Sequence, residues 1–184
     1  MKQISPFRIL AAIIYLAAAA YLIAIYPMLP ERIAVHYNAA GEPDGWGGKL
    51  TFTLLICGIF GAINVWLLFG VPAMFRLLPA RWMNFPTRRQ KEYWTATPQR
   101  LARVRGIAVD FMSVLMIPMN LLMLMIVQVT YQTNVPNPAM TIPFTPVMWT
   151  ITALLLVVAV GGTVWMFLAL RVPRDTEAEN SAAT

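Results

Sequence analysis

The sequence predicts an all-α integral membrane protein with four transmembrane helices. Three observations support this. The 184 residues are 59% hydrophobic and only 12% charged, against about 25% charged in an ordinary soluble domain. The apolar residues gather into four blocks, 7–29, 50–75, 106–129 and 147–170, each long enough for the roughly 20 residues that cross a bilayer core. The fourteen Lys and Arg are distributed unevenly, eight of them between Arg76 and Arg105. Backbone amides in lipid must be paired within the segment, so each block is expected to be a helix. The alternating ten-residue pattern of a membrane barrel is missing.

The formal charge of +6 reads as topology. Lys2 and Arg8 lie at the N-terminal end of the first block, eight basic residues lie between the second and third, and Arg171 and Arg174 follow the fourth; only Arg32 and Lys49 fall in the first connection. Cytoplasmic loops are enriched in Lys and Arg, so both termini and the 76–105 segment are expected inside, and residues 30–49 and 130–146 outside. Such a protein belongs in a bacterial cytoplasmic membrane as a multi-pass chain.

The first block is too long for the apolar core of a cleaved signal, about 7–15 residues, and is expected to stay as an anchor. It is rich in Ala, with Tyr26 near its outer end and Pro27 and Pro30 closing it. The outer loop that follows contains Gly41, Pro43, Gly45, Gly47 and Gly48 and should be compact and turn-rich, with Trp46 at the interface. In the second block Cys57, Gly61, Asn64 and Leu68 recur at helical spacing and form an expected packing seam. Cys57 is the only cysteine, so it has no intramolecular disulfide partner.

Between Arg76 and Arg105, Trp82, Phe85, Tyr93 and Trp94 interleave with basic residues, a composition suited to an anionic membrane surface rather than to nucleic acid. The third block is the polar one, with Asp110, Ser113, Pro118, Asn120 and Gln128 beside a run of methionines. An ionisable residue in a span is a candidate functional group. Asp110, however, is about one turn from the inner end, where Arg103 or Arg105 or water can meet it. Pro118 should kink the helix, with Asn120 or water satisfying the carbonyl it frees. Asn64 and Asn120 are the candidate mid-membrane polar groups. The loop 131–146 holds four prolines and no charge and should be extended; the Gly161–Gly162 pair offers a close-packing point in the fourth block, and the tail 171–184 reads as disordered.

The polar chemistry concentrates in the first outer loop, where Glu31, His36, Asn38, Glu42 and Asp44 lie within fourteen positions and His36 is the only histidine. Three uses compete: a metal site built from His36, Glu42 and Asp44, acid–base chemistry with Asp44 orienting His36, and a structured cap in which polar side chains bond the turn backbone. No ligand-spacing motif supports a metal, and no cofactor is expected.

The stretch LPERIAVHYNAAGEPDGWGGK resembles the signature of a bacterial membrane domain of unknown function (DUF1648), matching at Pro30, His36, Asn38, Gly41, Pro43, Asp44 and Lys49. That domain forms the N-terminal part of SdpI-like immunity proteins against the sporulation-delaying toxin. A second stretch, MNFPTRRQKEYW, is similar to the family's cytoplasmic segment at Asn84, Pro86, Lys91, Glu92, Tyr93 and Trp94. The resemblance implies an outward His/Asn/Gly/Asp loop and, in some members, toxin immunity and capture of a repressor at the membrane. The immunity proteins carry a further helical domain beyond the four spans found here. The leading expectation is a non-enzymatic protein that works by binding: an accessory subunit of a membrane complex, or a protein with an immunity or signalling role, whose partners are the lipid bilayer, other membrane proteins or further copies of itself. A small-molecule or proton-coupled transporter and a metal-dependent membrane enzyme are the alternatives.

Overall fold

The computed structural model describes residues 5–38 and 40–173. Helix α1 (Pro6–Ile25) runs on through a 3-10 turn at Tyr26–Met28. Strands β1 (Arg32–Tyr37) and β2 (Pro43–Gly48) follow. Helix α2 (Lys49–Val65) passes through a widened π-turn at Trp66–Gly70 into α3 (Val71–Leu77). A 3-10 turn at Ala80–Trp82 and helix α4 (Arg88–Thr95) lead to α5 (Pro98–Asn134) and α6 (Phe144–Ala169). Four stretches are long and apolar enough to cross a membrane: Pro6–Met28, Lys49–Leu77, Pro98–Asn134 and Phe144–Ala169.

The core is a three-helix seam with α5 at its centre. Ala11, Ala18, Leu22 and Ile25 make the buried stripe of α1, and the small alanines let α5 approach closely. Three apolar layers stack along the seam. Ala11, Leu68 and Met116 form one, Ala18, Phe60 and Met123 the next, and Leu22, Ile25, Val127 and Tyr131 the third. The expected stripe of Cys57, Gly61, Asn64 and Leu68 lies in this seam. A Cβ on Gly61 would meet the Tyr15 hydroxyl at 2.7 Å, and that hydroxyl donates to the Cys57 carbonyl at 3.3 Å.

Pro72 and Pro118 both lie within spans. Pro72 is preceded by the π-turn, which relieves the crowding its ring would impose on a regular helix. Pro118 sits inside a helix that continues for 37 residues. Asn120 does not serve the carbonyl that Pro118 frees; its amide nitrogen donates across the bundle instead.

The third span is longer than its apolar block. Thr97 starts it as a polar cap, its Oγ1 accepting from Arg100 N at 3.2 Å, and it runs on to Asn134 past the point where an extended loop was expected. Helix α6 packs chiefly on α5 and has no buried residue. Its last turn is tied to the basic segment, because Trp94 Nε1 and Gln90 Nε2 both donate to the Leu170 carbonyl, at 2.7 and 3.1 Å. These bonds cap a helix end that would otherwise leave carbonyls unpaired. The polar tail expected from 171 lies outside the described residues from 174 onward.

The chain is not all-α. The loop expected to be turn-rich is an antiparallel hairpin pairing Arg32 with Gly48, Ile33 with Gly47, Ala34 with Trp46, His36 with Gly45 and Tyr37 with Pro43.

Candidate functional site

The hairpin is anchored on one side and displayed on the other. Ile33 and Ala34 are fully buried. Asn134, at the end of α5, accepts from Ala34 N at 2.7 Å and donates to the Ala34 carbonyl at 3.5 Å. Lys49 holds the base of the hairpin: its ammonium donates to the Leu29 carbonyl at 3.0 Å, meets Glu31 at 3.0 Å and lies 5.0 Å from the centre of the Tyr26 ring. Lys49, the last residue of the loop signature in the sequence, therefore does more than mark topology, whereas the Asn134 clamp had no signal in the sequence.

The register slips on both sides of His36, so β1 has an extra residue before it and β2 one after it. Such bulges bend a strand and re-aim a side chain. His36 stands over Gly45 and reaches Asp44, with Nδ1 at 2.5 Å from Oδ1, while 72% of the His36 side chain and 43% of the Asp44 side chain remain exposed. An exposed pair of this kind contributes about 0–1 kcal/mol, too little to be what holds the hairpin. Asn38 builds the turn. Its Oδ1 accepts from Ala40 N at 2.9 Å and Glu42 N at 3.0 Å, and its Nδ2 donates to Glu42 Oε2 at 3.2 Å. Gly41 supplies the left-handed residue, at φ +82°. His36 itself bonds Asp44 rather than the turn backbone, and Glu42 is engaged by Asn38 rather than gathered beside His36.

Gly45 is required by close approach. A Cβ there would lie 2.7 Å from His36 Cβ. Gly45→Ala should therefore destabilise the hairpin by about 1–3 kcal/mol, while Gly58→Ala, in open space on α2, should change little. Hydrogen exchange at the Asn38 amide, which donates to the Glu42 carbonyl, reads the difference; equal protection in both variants would refute the steric argument.

Residues 13–61 match the family model of a domain of unknown function, DUF1648. The matched residues run from within α1 through the whole hairpin and into α2, so His36, Asn38, Gly41 and Asp44 all lie within the match. The second stretch, Asn84 to Trp94, lies beyond it. No curated protein and no solved structure matches the chain.

The other candidate residues fall into two groups. In the basic segment Trp94 is buried with Met83 and Val104, and Tyr93 sits edge-on to it with Arg100 3.8 Å over its ring. These aromatics are structural, whereas Asn84 and Pro86 are exposed. Inside the bundle, Asn64 and Asn120 face each other. Each side-chain amide donates to the other's oxygen at 2.9 Å; Asn64 also donates to the Phe60 carbonyl at 2.9 Å and Asn120 to the Ala11 carbonyl at 2.8 Å. Every amide hydrogen is used. Of the partners expected for Asp110 (Arg103, Arg105 or water), neither arginine pairs with it; among the described residues it makes no ion pair, and it lines a cavity at the basic end of the bundle.

Proposed function

We propose that this four-span membrane protein acts by binding, presenting the hairpin of its DUF1648 domain to a partner outside the bacterial cytoplasmic membrane, with both termini and the basic segment inside. The observation that carries this reading is the hairpin's two-sidedness. Apolar residues and backbone clamps fix it to α5, while His36, Asn38, Glu42, Asp44 and Trp46 project where a partner can reach them. Polar groups held in one geometry by a rigid scaffold bind with little ordering cost. The bias of Lys and Arg supports the orientation. The unburied face of α6 gives a surface for a membrane subunit or a second copy. Immunity against a secreted toxin, which the resemblance implies for some relatives, is one form such recognition takes.

The transporter reading is weaker, because the mid-membrane amides saturate one another instead of lining a path. The metal-enzyme reading needs three donors together; among the described residues no group of three His, Cys, Asp or Glu forms.

Extraction of intact cells in mild detergent, after photo-crosslinking from Trp46, should recover a discrete larger complex. His36→Ala/Asp44→Ala should lower its yield several-fold with the helical content unchanged. A lone monomer, indifferent to both substitutions, would defeat the reading. In a Cys57→Ala background, an impermeant thiol reagent should label Glu42→Cys and spare Arg88→Cys; the reverse pattern would invert the orientation.

A further inference from the structure

At the basic end of the bundle, opposite the hairpin, a cavity of about 650 Å³ opens between the first turn of α1, α3 and the start of α5. Arg8, Arg76, Arg103 and Arg105 line it, with Asp110 the single carboxylate and Phe75 part of the apolar wall. These arginines come from three separate spans. None of them forms an ion pair among the described residues, where the pairs are His36–Asp44, Lys49–Glu31 and Arg88–Glu92.

Their remaining contacts leave donors open. The Arg8 guanidinium lies 4.7 Å from the Phe69 ring centre and that of Arg103 5.9 Å from Trp94. One terminal nitrogen of Arg105 donates to the Leu78 carbonyl at 2.7 Å, but its Nε is buried without a partner. Ser5 Oγ, on the same cavity, is also buried and unbonded. Four like charges around a partly apolar hollow repel one another more strongly than they would in water, and a buried donor left unmade is costly. An anion with several acceptor oxygens relieves both. Guanidinium forks match phosphate oxygens two at a time.

We propose that this cavity is a binding site for a phosphate-bearing anion. The site lies at the end of the membrane spans, the depth at which a phospholipid presents its phosphodiester. The same chemistry would also take a soluble phosphate. This inference stands apart from partner binding by the hairpin and does not depend on it.

The test uses the full chain in phosphatidylcholine nanodiscs doped with phosphatidylglycerol, with mass spectrometry of the lipid that stays bound. The wild type should retain phosphatidylglycerol selectively. Arg8→Gln/Arg76→Gln should reduce that selectivity about tenfold, while Arg81→Gln/Arg88→Gln, which removes the same charge outside the cavity, should leave it intact. That result assigns the site to a headgroup. Inorganic phosphate is titrated in undoped phosphatidylcholine discs. Binding there, without lipid selectivity and abolished by the same cavity pair, supports the phosphate site with a soluble source. Equal loss in both arginine pairs would reduce the effect to diffuse surface attraction and overturn the proposal, as would neither lipid selectivity nor phosphate binding. If Arg8→Gln/Arg76→Gln does not fold, Asp110→Asn decides: removing the one carboxylate should raise retention about threefold, and no change or a decrease refutes the site.

Discussion

Replacing Asn120 by leucine is expected to lower the unfolding free energy by about 2–3 kcal/mol, although the two side chains share the same heavy-atom branching. Asn120 is fully buried and Asn64 nearly so. The substitution leaves Asn64 with one amide hydrogen and its oxygen unpaired in an apolar seam. Deleting one member of a buried polar pair costs the desolvation of the survivor, about 1–3 kcal/mol, in addition to the interhelical bond, which averages about 0.6 kcal/mol in membrane proteins. The Ala11 carbonyl loses less, since a helical carbonyl keeps its backbone partner. Asn64→Leu/Asn120→Leu should then cost clearly less than the sum of the two single changes, because no orphan remains. A double-mutant cycle, read by steric trapping or detergent-driven unfolding, should return a coupling of about 1 kcal/mol. Strict additivity would show that the reciprocal amides are not the contact that joins α2 to α5.

The same pair shows how far a sequence carries the fold. The spans are legible because hydropathy is a local property. The seam at Cys57, Gly61, Asn64 and Leu68 is legible because helical period puts those positions on one face. The hairpin was not. Strand β1, RIAVHY, has the β-branched and aromatic content of a strand, but its partner PDGWGG consists largely of residues depleted from sheets and reads as turns. What makes β2 a strand is tertiary: Gly45 is needed because His36 lies against it, and β1 is held by Asn134, 100 residues away in sequence. The candidate loop residues were identifiable as a cluster, yet their division of labour was not. Asn38 builds the turn, His36 takes Asp44, and Lys49 clamps the base. Arg8, Arg76, Arg103 and Arg105 read in the sequence as charge at the ends of apolar blocks, and nothing in their spacing shows that three spans bring them to one cavity. Long-range convergence of this kind has no periodic signature.

Gly162→Leu should loosen the fourth span by about 1–3 kcal/mol, while Gly161→Leu, one residue earlier, should stay within about 0.5 kcal/mol of the wild type. A Cβ on Gly162 would lie 2.6 Å from Phe111 Cε2 and 2.8 Å from Cδ2; a Cβ on Gly161 would meet nothing within 4 Å. Both substitutions add the same apolar bulk to the same helix, so propensity and lipid solubility cancel in the comparison. Close packing carries unusual weight here, since lipid is as apolar as a leucine face and supplies no hydrophobic drive for helix association. Helix α6 has no buried residue and rests chiefly on α5. The Phe111 ring is itself buried, 9% exposed, so it has no route into solvent when the glycine surface fills. Disulfide trapping between cysteines placed on α5 and α6, in a Cys57→Ala background, should slow for Gly162→Leu and remain unchanged for Gly161→Leu. Pairing Gly162→Ala with Phe111→Leu, which shortens the opposing side chain, should recover most of the lost trapping rate that Gly162→Ala alone shows. Identical behaviour at the two glycines would mean that α6 is held by its Leu170 bonds to Trp94 and Gln90, and that the ring-on-glycine contact adds nothing.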